Sequence, residues 1–293
     1  MSAKKLGLAL GSGGARGSAH VGVLKVLEEN GIHPDIIVGT SMGAEVGGAY
    51  AAGVSIRKLE DLWRSMHFGK VVKTLLPTFP WSGWSSGRQV LRTIHHLVGD
   101  IHIEELPLTY AAVATDLATG SPYAITQGSL ARAIRASLSV PGLFTPVWLD
   151  GHLLIDGGVS APIPVEIARY LGAEVVVAVD VLVQPESAKL SGIPVPEYRE
   201  RLLGIIKGVE STRSVGGETR RLYPTVFSVL FQMSTIFQKR VSQLLLEIHP
   251  PDVLIRPNFS PDPPRYSDVK RGIEAGEAAT RDVLPRIIEL ITQ

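Results

Sequence analysis

Residues 36–43 read IIVGTSMG and decide the fold, because an apolar run ends there in a serine that stands between two glycines. Such a run predicts a buried strand that enters a sharp turn. In the pattern G-x-S-x-G, here Gly39, Ser41 and Gly43, the glycines permit a strand-to-helix elbow with the serine hydroxyl at its tip. The alanine-rich segment that follows has no proline and predicts a helix whose N-terminal amides point back at the serine. Ser41 is therefore a candidate nucleophile.

A second glycine cluster precedes this elbow. Residues 6–10, LGLAL, predict a first buried strand, and residues 11–17, GSGGARG, contain four glycines in seven positions. A helix predicted from about residue 18 to residue 30 connects this strand to the next one. Two strands joined by a helix form a right-handed βαβ unit, so both loops lie at the carboxyl edge of a parallel sheet. We therefore expect the glycine loop and Ser41 to be neighbours.

The glycine loop fits neither common nucleotide-binding pattern. A dinucleotide fingerprint would need a third glycine where the chain has Arg16. A phosphate-binding loop would need a lysine that the sequence lacks at the required distance. Two interpretations remain for this segment. One is an oxyanion hole made by the amides of Gly13, Gly14 and Ala15 or Arg16, and the other is a plain tight turn.

The base that would activate Ser41 is open to two interpretations. A Ser-His-Asp triad needs a histidine, and of eight histidines His20 is near the glycine loop and His152 is near Asp156. In an α/β-hydrolase the elbow lies well into the sheet, whereas here only one strand precedes the elbow's own strand. The alternative is a dyad in which the carboxylate of Asp156 contacts Ser41 directly, with a pKa raised by burial. Asp156 stands in an Asp-Gly-Gly segment at a predicted strand end, although such segments are also common as ordinary turns.

Composition predicts a globular protein with a sizeable core. The 293 residues are 45% apolar and 19% charged, and 29 basic residues face 28 acidic ones, so net charge does not argue for nucleic acid. The sequence has no cysteine, which excludes disulfides and thiolate metal sites and fits the reducing conditions of the cytoplasm. The apolar run at residues 6–10 is too short for a signal peptide, and no run has the length of a membrane-spanning helix.

The chain is expected to be a single domain over residues 1–293. Its parts would be a core at about residues 5–183, a linker at about 184–197, and a C-terminal region over 198–293. In that region we predict helices at 198–215 and 224–249, a late strand at 252–257 and a closing helix at 267–291. The helix at 224–249 has an apolar stripe and basic neighbours. It would meet a membrane surface, pack on the core or form a dimer face. The apolar segment 68–87 would cover a binding cleft or form a satellite core cluster.

Four motifs, taken together and in order, carry a resemblance. LGLALGSGGARGSAHVGVL, IIVGTSMG, ASLSVPGLFTPV and LIDGG resemble the patatin-like phospholipases, in particular the bacterial branch similar to the neuropathy target esterase catalytic domain. The matching blocks span about residues 5–183. The resemblance implies a patatin-like three-layer α/β fold with a mainly parallel central sheet and helices on both faces. It also implies hydrolysis of carboxylic esters in phospholipids, lysophospholipids or other acyl lipids, without a metal or other cofactor.

The resemblance also assigns site residues. It implies that Ser41 is the nucleophile that forms an acyl-enzyme and that Asp156 is the general base. The glycine loop becomes the oxyanion hole, with Arg16 at the position of the family's basic residue. The remaining motif positions are glycines: Gly11, Gly17, Gly39, Gly43, Gly157 and Gly158.

One position departs from the family, which usually has glycine where this chain has Ser12. The departure favours an alternative function, that of a catalytically silent lipid-binding or regulatory protein with the same fold. The expected partner in either case is an acyl lipid, with peripheral membrane contact and homo-oligomer formation left open and no nucleic acid.

Overall fold

The computed structural model describes residues 4–65, 83–182, 192–194, 211–215, 218–224, 226–258 and 269–293. Within these ranges the strands are β1 (Leu6–Leu10), β2 (Ile36–Thr40), β3 (Thr109–Asp116), β4 (Pro122–Ile125), β5 (Val147–Leu149), β6 (His152–Asp156), β7 (Val175–Val179), β8 (Gly192–Pro194), β9 (Ser211–Val215), β10 (Glu218–Pro224) and β11 (Val253–Ile255). The helices are α1 (Ser18–Glu29), α2 (Met42–Ala51), α3 (Ile56–Ser65), α4 (Arg88–Val98), α5 (Leu130–Ser137), α6 (Val165–Tyr170), α7 (Val226–Ile248) and α8 (Val269–Thr292).

A mainly parallel sheet forms the centre of the molecule. Its strand order is β11-β7-β1-β2-β3-β6-β5, and β4 also pairs with β3. The five strands from β11 to β3 are parallel to one another, whereas β4, β5 and β6 pair in antiparallel fashion. Strands β1, β2 and β7 are buried along their whole length, as expected for parallel strands covered on both faces. The predicted sheet is therefore confirmed.

Apolar side chains pack on both faces of this sheet. The larger core joins the sheet to side chains of α1, α3, α4, α5 and α8, among them Leu24, Trp63 and Ile273. The smaller core joins the opposite face to Val165 and Ala168 of α6. The prediction of helices on both faces is thus also confirmed.

The carboxyl ends of the parallel strands provide the edge on which the candidate site is built. β1 and β2 are adjacent and parallel, with Leu10 paired to Gly39, and α1 connects them as the βαβ argument predicted. The loops after β1 and β2 consequently emerge side by side at that edge. The loop after β7 emerges there as well, because β7 is the other parallel neighbour of β1.

The C-terminal region differs from the prediction in one respect. Residues 211–215 were predicted to be helical, but they form β9, which pairs antiparallel with β10 and places Arg213 opposite Arg220. The short strand β8 adds to the other edge of β10. The helical prediction overlooked the Gly-Gly pair at positions 216 and 217, which is a common hairpin signal between two short strands.

Other predictions for this region agree with the structure or lie outside it. The helices predicted at 224–249 and 267–291 are observed as α7 and α8, and the late strand as β11. Residues 66–82 hold most of the predicted apolar segment and lie outside the described residues, as do residues 198–210 and all of the predicted linker except β8. Among the described residues, no helix combines the length and apolar character that crossing a membrane requires.

Candidate active site

Ser41 stands at the elbow between β2 and α2 in an unusual backbone conformation. Its φ is 55° and its ψ is −117°, a region that residues with a side chain rarely adopt. Both flanking residues must be glycine, because neighbouring backbone atoms leave no room for a Cβ. A Cβ at Gly39 would lie 2.5 Å from the backbone nitrogen of Ala44, and a Cβ at Gly43 would lie 2.6 Å from the carbonyl carbon of Leu10. The glycines of the G-x-S-x-G pattern are therefore needed for steric reasons, as predicted for a strand-to-helix elbow.

Ser137, the last residue of α5, supports the strained elbow from below. The Ser41 amide donates a hydrogen bond to Ser137 Oγ at 2.7 Å, and the Ser137 hydroxyl donates to the carbonyl oxygen of Val113 at 2.6 Å. Ser137 is fully buried, so this chain of hydrogen bonds has no competing water. Ser137 lies in the motif ASLSVPGLFTPV, but the sequence analysis assigned it no role.

The hydroxyl of Ser41 donates a hydrogen bond to Asp156 Oδ2 at 2.7 Å. The other carboxylate oxygen, Oδ1, accepts a hydrogen bond from the Gly158 amide at 2.7 Å. Both residues of the pair are buried, with Ser41 5% and Asp156 2% exposed. Burial raises the pKa of Asp156 to about 6, although the hydrogen bonds from Ser41 and Gly158 act in the opposite direction. The two residues that the sequence proposed as a dyad are therefore in direct contact, and their catalytic roles stay a prediction.

Neither candidate histidine contacts this pair. His20 Nε2 donates to the carbonyl oxygen of Gly11 at 2.8 Å, and burial lowers the pKa of His20 to about 4, so the ring is neutral at pH 7. His152 lies at the start of β6 and pairs with Asp116, with 2.5 Å between Nδ1 and Oδ2. Among the described residues, no histidine forms a hydrogen bond with Ser41 or Asp156. The geometry therefore supports the dyad interpretation over the triad.

The glycine loop lies against the elbow, as predicted. A Cβ at Gly43 would come within 2.9 Å of the Gly11 carbonyl oxygen, and a Cβ at Gly17 would lie 2.7 Å from Met42 Cβ. The first part of the loop is anchored to its surroundings. The amide of Gly11 donates to Val179 O at 3.1 Å, and that of Ser12 donates to Pro162 O at 2.8 Å.

The next residues of the loop form a short 3-10 turn from Gly14 to Gly17, in which Gly14 has a φ of 56°. The Arg16 amide donates within this turn to Gly13 O at 3.2 Å, so it already has an acceptor, and its role as an oxyanion donor stays a prediction. No described residue accepts a hydrogen bond from the amides of Gly13, Gly14 or Ala15. These three amides remain the candidates for the oxyanion hole.

Basic side chains surround Asp180, the residue that follows β7, close to the glycine loop. Lys239 Nζ lies 3.8 Å and Arg256 Nε 3.4 Å from Asp180 Oδ2. Arg16 donates from Nε to Val181 O at 2.7 Å, and burial lowers the pKa of its guanidinium to about 10. Three cations near one carboxylate leave an excess of positive charge, which favours a negative charge developing on the neighbouring loop.

Helix α7 covers the glycine loop with a polar side chain that sequence reasoning missed. The Ser12 hydroxyl donates a hydrogen bond to Gln238 Oε1 at 3.0 Å, and Gln238 Nε2 donates to Ser234 Oγ at 3.1 Å. No local sequence pattern could indicate this contact, because 226 positions separate Ser12 from Gln238.

Among the described residues there is no group of three or more His, Cys, Asp or Glu side chains arranged to hold a metal.

A serine on a strained strand-to-helix elbow, a carboxylate bonded to its hydroxyl and free amides alongside form the arrangement typical of serine acyl hydrolases. Within that class, the family model described as Patatin-like phospholipase matches residues 8–169. The match covers more than half of the 293 residues, and the chain belongs to this family. The resemblance proposed from the four motifs is therefore confirmed.

Individual proteins are similar to this chain over 181 to 194 residues. A Mycobacterium bovis protein described as an uncharacterized NTE family protein is 40% identical over 181 residues, which are 61% of this chain and 49% of that protein. Human patatin-like phospholipase domain-containing protein 6 is 38% identical over 194 residues, 64% of this chain and 14% of its own length. Drosophila melanogaster neuropathy target esterase sws is 37% identical over 187 residues, 62% of this chain and 13% of its own. The chain thus matches half or less of the length of each of these relatives.

Proposed function

We propose that this chain is a serine acyl hydrolase that cleaves carboxylic ester bonds of phospholipids or lysophospholipids through Ser41, Asp156 and an acyl-enzyme. The observation that carries the proposal is the 2.7 Å hydrogen bond from Ser41 Oγ to Asp156 Oδ2 in a buried setting. A carboxylate with a pKa of about 6 is ionised at pH 7 and is a stronger base than an ordinary aspartate.

The proposed reaction has two halves. Asp156 takes the proton of Ser41 while Oγ attacks the ester carbonyl carbon, and the resulting oxyanion accepts hydrogen bonds from the free amides of Gly13, Gly14 and Ala15. The tetrahedral intermediate collapses when the carbon–oxygen bond to the alcohol breaks, and Asp156 returns the proton to the leaving oxygen. A water molecule then gives its proton to Asp156 and attacks the acyl carbonyl, which releases the fatty acid and restores the Ser41 hydroxyl.

The substrate class rests on the family and on the names of relatives. The family is described as patatin-like phospholipases, and one relative is named as a neuropathy target esterase. The chain matches half or less of the length of these relatives, and we propose phospholipids or lysophospholipids as its substrates on the basis of the shared region.

The activity is tested by hydrolysis of a soluble short-chain chromogenic ester by wild type, Ser41→Ala and Asp156→Asn. We expect each substitution to lower kcat/KM by about 10³-fold or more, because residues that act as one unit fail together. Equal rates in the three proteins would instead favour the catalytically silent lipid-binding alternative. Mass spectrometry of products from a mixed phospholipid extract then identifies the ester that is cleaved.

A contact with a lipid surface is the second part of the proposal. Helix α7 turns Lys239 and Ser242 into the protein. It exposes a stripe of large apolar side chains to the outside: Val229, Met233, Ile236, Phe237, Leu244 and Ile248. Exposed apolar stripes of this size mark interaction sites, and the helix that carries this one also covers the glycine loop. We therefore propose that a lipid surface docks on this stripe.

This contact is tested by flotation with anionic phospholipid vesicles. Phe237→Ser should lower the bound fraction at least about fivefold, because it removes a large part of the apolar area, while Gln243→Ser at an exposed position of the same helix should not. Binding that is equal in the three proteins would exclude this surface as the lipid contact. A dimer that dissociates in Phe237→Ser without any vesicle binding would assign the stripe to self-association.

A further inference from the structure

We infer that Ser12 and Gln238 form a positioning pair that fixes the proposed oxyanion loop beneath helix α7, an inference that rests on the proposed hydrolase function. Ser12 immediately precedes Gly13, the first of the three free amides, so any rotation of the Ser12 backbone reorients the Gly13 donor. Its amide is already held by Pro162 O, and its side chain supplies the second anchor by donating to Gln238 Oε1 at 3.0 Å.

Gln238 is itself held in place. Its amide nitrogen donates to Ser234 Oγ one turn earlier on α7, which sets the side chain so that Oε1 faces Ser12. The next residue, Lys239, has a buried side chain that pairs with Asp180 at the end of β7, and Ser242 one turn later is 2% exposed. The helix is therefore anchored directly after Gln238, and the hydrogen bond to Ser234 holds the glutamine side chain in place.

Gly158 shows how closely the pair approaches the dyad. A Cβ at this position would lie 2.9 Å from each of three atoms: Ser12 Oγ, Gln238 Cδ and Asp156 Oδ1. The amide of Gly158 also donates to that same Asp156 oxygen. The loop, the helix and the carboxylate thus meet over one glycine, and the absence of a side chain there is what permits the contact.

The serine gives this loop a link that glycine cannot make. A glycine at this position would have no hydroxyl and would leave the loop held only by its backbone hydrogen bonds. Ser12 is buried, with 4% exposure, so water does not compete for its hydroxyl. We assign Ser12 and Gln238 a positioning role, because the Ser12 hydroxyl donates to Gln238 and the described hydrogen bonds of the Ser41 hydroxyl and the Asp156 carboxylate involve neither side chain.

The pair is tested by a double-mutant cycle with Ser12→Ala, Gln238→Ala and the double variant, and with Gln243→Ala as the matched control on the exposed face of α7. The measurements are kcat and KM on a soluble short-chain ester, active enzyme counted by a fluorophosphonate, and the melting temperature. Each single variant should lower kcat about fivefold to tenfold and change KM by less than about twofold, since the lost hydrogen bond orients donors used in the transition state. The double variant should be no slower than the slower single variant.

Independent effects that multiply in the double variant, or single variants that match Gln243→Ala, would overturn the inference. Ser12→Gly keeps the test decisive where a variant fails to fold, because glycine is tolerated in such loops. It should lose kcat as Ser12→Ala does, and a rate at or above wild type would contradict the positioning role. A wild-type protein that does not hydrolyse the ester would instead refute the proposed function itself. Failure of the inference and failure of the proposed function are therefore distinguishable.

Discussion

The pKa of Asp156 makes the pH dependence of hydrolysis a quantitative test of the dyad. Burial raises this pKa from 3.8 to about 6. A general base acts only when it is ionised, so kcat/KM should follow the ionised fraction of Asp156 in the free enzyme. About one tenth of the sites are ionised at pH 5 and about nine tenths at pH 7, which predicts a fall of roughly tenfold on acidification. An aspartate of ordinary pKa would be more than about 90% ionised at both values and would give almost no fall.

The assay is the initial rate of hydrolysis of a soluble ester without titratable groups, measured from pH 4.5 to pH 8 at constant ionic strength. Ser41→Ala supplies the background at each pH. The rate of fluorophosphonate labelling of wild type should show the same acidic limb, because labelling also needs the proton of Ser41 to be removed. A limb centred near pH 4, or none at all, would refute the assignment of Asp156 as a buried base.

Glu45 is the matched control, because it is another carboxyl group with a raised pKa close to the nucleophile. It lies in the first turn of α2, one turn after Ser41, and desolvation raises its pKa to about 7. Glu45→Gln should keep the acidic limb near pH 6, since the substitution leaves the backbone hydrogen bond from Glu45 N to Ser41 O in place, and the described hydrogen bonds of the Ser41 hydroxyl and the Asp156 carboxylate do not involve the Glu45 side chain. Loss of the limb in Glu45→Gln would transfer the titration to Glu45 and contradict the account.

Three further predictions concern the elbow and its burial. Ser137→Ala removes the acceptor of the Ser41 amide and should lower the free energy of unfolding in urea by about 1–3 kcal/mol, whereas Ser121→Ala at an exposed position should leave it unchanged. Gly43→Ala forces a Cβ against the Leu10 carbonyl and should cost more than about 2 kcal/mol, so an unchanged melting temperature would contradict the close approach. Asp156 has a higher pKa folded than unfolded, so the stability that its neutral form contributes is complete below pH 3.8 and is lost as pH rises through about 6. Asp156→Asn should therefore gain about 2 kcal/mol relative to wild type between pH 4 and pH 7, and two parallel pH–stability curves would show that burial does not perturb this group.

Local chemistry explains why the elbow and the glycine loop were predictable from sequence. Gly39 and Gly43 are required by backbone contacts with residues that are near in the chain or on the adjacent strand, and such needs leave a short motif. The motif around Asp156 did not by itself indicate a catalytic role, since Asp-Gly segments are mostly turns. Its position is determined by the antiparallel pairing of β6 with β3, which places Asp156 opposite Ala114 at the edge where Ser41 emerges.

The supports of the site depend on long-range packing and carried no local signal. Ser137 is 96 positions from Ser41, and Gln238 is 226 positions from Ser12, so neither contact has a spacing that a sequence pattern could show. The hydrogen bond of the Arg16 amide within the loop could not be predicted for a related reason. This bond to Gly13 depends on the 3-10 turn that the loop adopts once it is packed.

The proposed function depends above all on Ser41 as the nucleophile that Asp156 activates. The most direct measurement is peptide mass spectrometry after reaction with a fluorophosphonate, with wild type, Ser41→Ala and Asp156→Asn treated in parallel at pH 7.5. We expect one adduct per wild-type chain on the peptide that contains Ser41, no adduct in Ser41→Ala, and labelling slower by at least about 10²-fold in Asp156→Asn. An adduct on another residue, or equal labelling rates in wild type and Asp156→Asn, would contradict the proposed function.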